Sequence, residues 1–452
     1  MSAKTRSERA TVQADGSAEK AGRASVASFL GSMLEYYDFV IYGAAASLIF
    51  THVFFTESAP GAGMLLSLAT FGVAYVARPL GALVLGHIGD RVGRRRVMMF
   101  TIILMGVCTF LIGCIPGYDS WGVLAPILLV VCRLAQGFSA GGEQSGANAI
   151  ILEHAPSKRR NFFASWTMTG TTVGTVIATL VFVPVAALPD EILYSWGWRV
   201  PFWASAVVVV VAYVVRRRLE EPEAYEAVKN QGERAALPVV ELMRTHWAAL
   251  IRLILCAMTA ALGTIFQVFG LAYATEQVGL DRTVMLWVTI VSNVTATVLM
   301  PFLAILSDRI GRRPVYIAGT LGLTVTVFAY FAAIGTGFYP LIFACGLLMN
   351  GLAYSAVIIV GTAFYPEMFP TAIRFSGSAL GTQIGYAMAG FAPTIGYAIM
   401  GTGQWGWIPV AVMGAIICLV ATAMALITRE SAGAHIDELG YLGRTDRREA
   451  LA

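Results

Sequence analysis

Gly89-Asp90-Arg91-Val92-Gly93-Arg94-Arg95-Arg96-Val97 returns, 218 residues later, as Ser307-Asp308-Arg309-Ile310-Gly311-Arg312-Arg313-Pro314-Val315. Each copy is a short charged connection between two long apolar runs. A second pair keeps nearly the same offset: Glu153, Pro156 and Arg160 are echoed by Glu367, Pro370 and Arg374, 214 residues on. Two echoes at nearly one offset read as two duplicated halves. The one long charged loop, 220–247, falls between them.

The setting of these connections is lipid. Of 452 residues, 57% are hydrophobic and only 13% charged, against about 25% charged in a soluble domain. A span needs about 20 apolar residues to cross a ~30 Å hydrocarbon core. Twelve runs meet that need, at 27–53, 62–85, 97–115, 122–152, 161–187, 197–217, 248–276, 283–306, 315–334, 338–364, 374–401 and 406–428. Arg78 and Arg133 lie inside runs, Arg199 at an edge and Arg282 in an opposite loop; the other 27 of the 31 basic residues fall on one side. That bias predicts an even number of spans in a plasma or inner membrane with both termini cytoplasmic. The expected organisation is an extension 1–26, a six-helix bundle 27–219, a linker 220–247, a second six-helix bundle 248–428 and a tail 429–452. Parallel repeats of six helices place a solute site at the midplane between halves.

Other classes are excluded along the way. The six cysteines lie in apolar runs without disulfide or metal spacing, and the five histidines are scattered. A net charge of +4 with no basic stripe argues against nucleic acid. Gly137-Phe-Ser139-Ala-Gly141 matches a nucleophile-elbow string, but inside a membrane run with no strand before it. Gly401-Thr-Gly403-Gln-Trp-Gly406 matches a dinucleotide string, but in a turn between two runs. No Walker sequence is present, so ATP is not the expected driver. The chain reads as a non-enzyme that needs no cofactor, driven by a proton gradient. Its partners are the bilayer, protons and a small solute, and it is expected to act as a monomer.

Four segments carry a family resemblance: Gly31-Ser-Met-Leu-Glu35-Tyr-Tyr-Asp38-Phe39, Gly86-His-Ile-Gly-Asp90-Arg91-Val-Gly93-Arg94-Arg95, Arg133-Leu-Ala-Gln136-Gly137-Phe-Ser-Ala-Gly-Gly-Glu143 and Trp196-Gly-Trp-Arg199-Val-Pro-Phe202. On these the chain resembles the major facilitator superfamily, and within it the metabolite:proton symporters. The resemblance covers residues 25–430. It implies import, with protons, of a small carboxylate metabolite (shikimate, 2-oxoglutarate or citrate-like) or a zwitterionic osmolyte such as proline or betaine. It also implies a latch on the cytoplasmic side at Gly86, Asp90, Arg91, Gly93 and Arg94, with Asp308, Gly311 and Arg312 as a weaker copy. Glu153, Arg160, Glu367 and Arg374 extend that gate. A passive channel, or an antiporter for the same solutes, is the alternative. The absence of charge rings argues against a pore.

Charge inside a lipid-spanning helix is the strongest local signal, since each costs about 2.5–3.5 kcal/mol to insert. Glu35 and Asp38 are three positions apart and share a helix face. Two carboxylates this close resist being charged together, which suits a proton carrier; which one carries the proton stays open. Arg133, Gln136, Ala140 and Glu143 form one stripe, expected to face the cavity. Arg133 there either holds a solute carboxylate, tunes a neighbouring acid or ties helices together. Arg78, beside Pro79, is expected to snorkel to the interface. Tyr36, Tyr42, Gln267, Asn293, Asn350, Tyr354, Gln383 and Tyr386 are candidate solute-facing groups, while Gly170–Gly174 and Gly377–Gly381–Gly385 have the spacing of close helix contacts.

Overall fold

The computed structural model describes residues 3–56, 58, 61–92, 94–141, 151, 155–218, 238–434 and 438–440, those of 3–20 and a few others by backbone alone. Among the described residues there is no strand. The long helices are α1 (Ala3–Leu48), α2 (Ala62–Val92), α3 (Arg94–Cys114), α4 (Leu124–Ala140), α5 (Arg160–Ala186), α6 (Arg199–Arg218), α7 (Trp247–Gln277), α8 (Arg282–Ile310), α9 (Arg312–Thr336), α10 (Tyr339–Glu367), α11 (Thr371–Gly390, resuming as Ala392–Ile399) and α12 (Ile408–Ile427). Seven of these (α2, α5, α7, α8, α9, α10 and α12) are long and apolar enough to cross a bilayer by themselves, and α3 and α4 contribute shorter apolar stretches. The fold is all-α, with twelve membrane helices in two six-helix bundles.

Three departures from the sequence expectation have local causes. The extension 1–26 is not separate, because α1 begins at Ala3 and runs on into the membrane. The charged connections are helix ends rather than loops: α8 stops at Ile310 and α9 starts at Arg312, joined through Gly311 alone. Gly311 has φ +113°, a conformation that side chains with a Cβ rarely adopt. Finally, α11 breaks at Phe391, where Pro393 cannot donate a backbone hydrogen bond and starts a new helical segment. The expected linker lies largely outside the described residues, apart from the short helix Pro238–Thr245.

Glycine spacing sets how closely the helices approach. A Cβ on Gly170 or Gly174 would collide with the backbone carbonyls of Phe29 and Met33, so α5 lies directly on α1. Gly137 and Gly141 bring α4 onto the backbone of α2 at Ala74 and Arg78; the apparent nucleophile elbow is a packing stripe. In the second half, Cβ atoms on Gly381 and Gly385 would come within 2.5 Å of Leu253 and 2.6 Å of Ala257, both on α7. The halves meet along α5 against α8 and α2 against α11. Outward, Leu80, Phe302 and Val325 are exposed, as a lipid-facing surface requires.

Candidate functional site

Between the halves lies a cavity of about 90 Å³. Tyr36, Phe39, Val40 and Gly43 of α1 and Phe71 and Tyr75 of α2 form its first-half wall, with Thr171, Thr172, Thr175 and Thr179 of α5. The second half supplies Gly263, Thr264 and Gln267 of α7, Thr289 and Asn293 of α8, Asn350 and Tyr354 of α10, and Tyr386 of α11. Two of these helices are locally widened. α7 has π-helical turns at Ile265–Phe269 and Tyr273–Gln277, and α10 has one at Leu347–Tyr354. Such turns displace side chains from the ordinary helical register, and here they carry Gln267, Asn350 and Tyr354 to the cavity. No charged side chain lines it among the described residues.

The charges stand immediately behind the first-half wall. Arg78 Nη2 donates to Glu35 Oε1 at 3.1 Å, with both side chains almost wholly buried. The expected snorkelling is therefore wrong. Arg78 lies seven residues before Leu85, about 10 Å along the helix, too deep for its head to escape. Its guanidinium carbon sits 4.3 Å from the Phe39 ring centroid and 4.5 Å from that of Tyr75, contacts worth about 2 kcal/mol or more when desolvated. Its Nε and Nη1 have no hydrogen-bond partner.

Arg133 also departs from expectation. The stripe of α4 turns into the first bundle rather than toward the cavity. Arg133 Nη2 donates to the Phe71 carbonyl at 2.9 Å and Nη1 to Gln136 Oε1 at 3.0 Å, and the head lies 3.9 Å from the centroid of Tyr42. Gln136 Nε2 donates in turn to Thr109 Oγ1 at 2.7 Å. Asp38 is buried beside Thr109 and Arg133, and its Oδ1 has no hydrogen-bond partner. Tyr42 belongs to this inner network, donating to Thr70 Oγ1 at 2.6 Å, and does not line the cavity. Gln383 is buried but does not line the cavity either. Of the eight expected solute-facing groups, Tyr36, Gln267, Asn293, Asn350, Tyr354 and Tyr386 border it. The threonine row of α5 escaped the sequence reading, although Thr171, Thr175 and Thr179 at i, i+4, i+8 are a legible polar stripe.

Both ends of the interface are bridged. At the end bearing the repeated motif, Asp308 accepts from the backbone N–H of Asn161 at 3.2 Å and Phe162 at 3.0 Å, capping the start of α5 across the two halves. Arg312 Nη1 donates to Asp308 at 2.6 Å and its Nε to Glu367 at 3.3 Å, and all three side chains are buried. Arg160 donates to the Ala434 carbonyl and Arg374 to that of Phe369. The expected gate residues Asp308, Gly311, Arg312, Glu367, Arg374 and Arg160 thus gather at one end. Gly93, Glu143 and Glu153, and the side chains of Asp90, Arg91 and Arg94, lie outside the described residues, as does the surrounding of Gly86. Sequence reasoning missed Glu430, whose carboxylate accepts from the N–H groups of Arg312 and Arg313 at 2.8 and 3.0 Å and caps α9. At the opposite end Arg282 spans the halves to Asp190 at 2.7 Å and to the Ala186 carbonyl at 2.6 Å.

A cavity between the halves, bridged at both ends, with buried ions behind one wall, suits a membrane transporter. Comparison with known sequences narrows the class. The family model for sugar (and other) transporters matches residues 24–237, and that for the major facilitator superfamily matches residues 253–439. The shikimate transporter of Escherichia coli K12 is 36% identical, over 92% of this chain and 96% of its own length. The proline/betaine transporter of the same organism is 33% identical, over 90% of this chain and 83% of its own. Among solved structures, a ligand-bound proton:xylose symporter XylE superposes with a TM-score of 0.73 at 18% identity, covering 94% of this chain and 100% of that one, a likeness of fold. The chain belongs to the major facilitator superfamily and is a multi-pass membrane transporter.

Proposed function

We propose that this transporter is a symporter that imports a small carboxylate-bearing solute together with protons. The observation that carries the reading is the α1 acidic pair: Glu35 and Asp38 are both buried, Glu35 in a salt bridge with Arg78, and Asp38 beside Thr109 and Arg133 with its Oδ1 unbonded. A buried carboxylate with an unbonded oxygen is costly as an anion, and this supports a pair that takes and releases protons. The similar transporters support the solute class, because shikimate, proline and betaine share a carboxylate and little else. The asymmetry of basic residues supports both termini, and the motif-bearing end, facing the cytoplasm. The halves are taken as 27–219 and 248–428, joined by 220–247, and the unit as a monomer without cofactor.

The test is uptake into proteoliposomes under an imposed proton gradient, over shikimate, 2-oxoglutarate, citrate, proline and betaine. Accumulation that collapses with the gradient, and counterflow that persists without it, are the expected results. Uptake indifferent to the gradient would refute symport.

A further inference from the structure

Resting on that symport reading, we propose that Arg78 is the receptor for the solute's carboxylate and that Glu35 is its exchangeable counter-ion. Protonation of Glu35 releases the guanidinium, a solute carboxylate takes the vacated place, and solute and proton are bound together.

Three observations carry the assignment. The first is the donor inventory. Arginine presents a fork of N–H groups that fits a carboxylate two by two, yet Glu35 touches one corner of Arg78 at 3.1 Å while Nε and Nη1 bond nothing. The second is position. The Arg78 guanidinium packs against both Phe39 and Tyr75, and both rings form cavity wall, which places it directly behind that wall. The third is contrast with Arg133, the other buried cation nearby, whose donors are engaged by Gln136 and by the carbonyls of Phe71 and Thr70. The described lining of the cavity has no cation of its own, so the cations nearest an anionic headgroup are those behind the wall.

The exchange balances. Glu35 as carboxylate pairs with Arg78; one proton converts it to the neutral acid, its Oε1 leaves the guanidinium, and the solute's carboxylate restores a single negative partner. Release of solute returns the proton and re-forms the original pair. Net charge behind the wall is the same in both states, which removes the cost of leaving a guanidinium uncompensated in lipid. Among the described residues, the charged and titratable groups facing the pair include Tyr36 and Asp38 on α1, Tyr75 on α2, Arg133 on α4 and Tyr386 on α11. Phenols and guanidinium keep their protons at neutral pH, so among these Glu35 and Asp38 are the groups that can titrate, and replacing one separates them.

The experiment measures binding to the purified full-length protein, comparing each acid with a partner lacking the carboxylate: shikimate with methyl shikimate, and betaine with choline. At least one acid should bind, with its partner about 100-fold weaker or absent. Arg78→Gln should weaken the acid about 100-fold and Arg78→Lys about tenfold. Because ionised Glu35 competes for Arg78, acid binding to the unaltered protein should weaken as pH rises from 6 to 8. Glu35→Gln should bind the acid at pH 8 as tightly as the unaltered protein does at pH 6. Acid binding unchanged in Arg78→Gln, equal binding of both members of each pair, or a pH dependence surviving in Glu35→Gln would overturn the proposal; the last decides it even if Arg78 variants fail to fold. Gradient-driven uptake of choline or methyl shikimate would preserve symport while overturning the carboxylate receptor. Gradient-independent uptake, combined with loss of acid binding in Arg78→Gln, would sink symport and leave the receptor standing.

Discussion

The first half buries Glu35, Asp38, Arg78 and Arg133 behind the cavity wall and only Arg160 at the motif-bearing end, whereas the buried charges of the second half, Asp308, Arg312, Glu367 and Arg374, all gather at that end. The second half meets the cavity with amides as well as hydroxyls, from Gln267, Asn293, Asn350, Tyr354 and Tyr386, where the first half offers hydroxyls alone, from Tyr36 and the α5 threonines. Duplicated bundles have thus diverged in where they spend their polarity. On the proposed function, the first half would carry ion and proton coupling and the second would contribute most to solute recognition. That division is a claim about energy coupling, and it can be broken.

The largest effect should come from the first half. Asp38→Asn or Glu35→Gln, made separately, is expected to abolish gradient-driven accumulation for at least one of them, by about 100-fold, while counterflow persists. Loss of accumulation from a second-half change alone would erase the contrast. Next, Arg312→Ala strips the cation from buried Glu367 and Asp308 and should cost about 3–5 kcal/mol, read as a lowered unfolding temperature in detergent. Third, Asn293→Ala or Asn350→Ala should raise the half-saturation concentration roughly tenfold, the worth of one or two hydrogen bonds, with the accumulation ratio unchanged. Smallest is Glu430→Gln, which weakens the cap on α9 by about 1 kcal/mol and should slightly increase reactivity of a cysteine placed near Ala434.

Much of the fold was legible because lipid imposes a simple rule on composition. Apolar run lengths gave the helices, and the echo of 89–97 at 307–315 gave the two halves. The helix-contact reading of Gly170 and Gly174 follows from the same logic and matches their approach to Phe29 and Met33. The failures also have a common cause. Arg78 and Arg133 were assigned by linear position, one near a span end and one on a stripe, but a helix face is inward or outward only relative to its neighbours. Rotation of α4 onto α2, fixed by Gly137 and Gly141, turned Arg133 away from the cavity. Likewise, the π-helical turns of α7 and α10 shift side-chain register in a way that ideal helical spacing cannot anticipate.

By itself the sequence determined that this chain lives in a bilayer, that it is built from two related halves and that a few ionisable groups are buried where charge is expensive, because hydropathy and charge counts are local properties. Tertiary structure decided the pairings: Glu35 with Arg78 rather than Arg133, Asp308 across to α5, Glu430 back onto α9. Those contacts depend on which helix faces meet within a few ångströms, and only packing sets that.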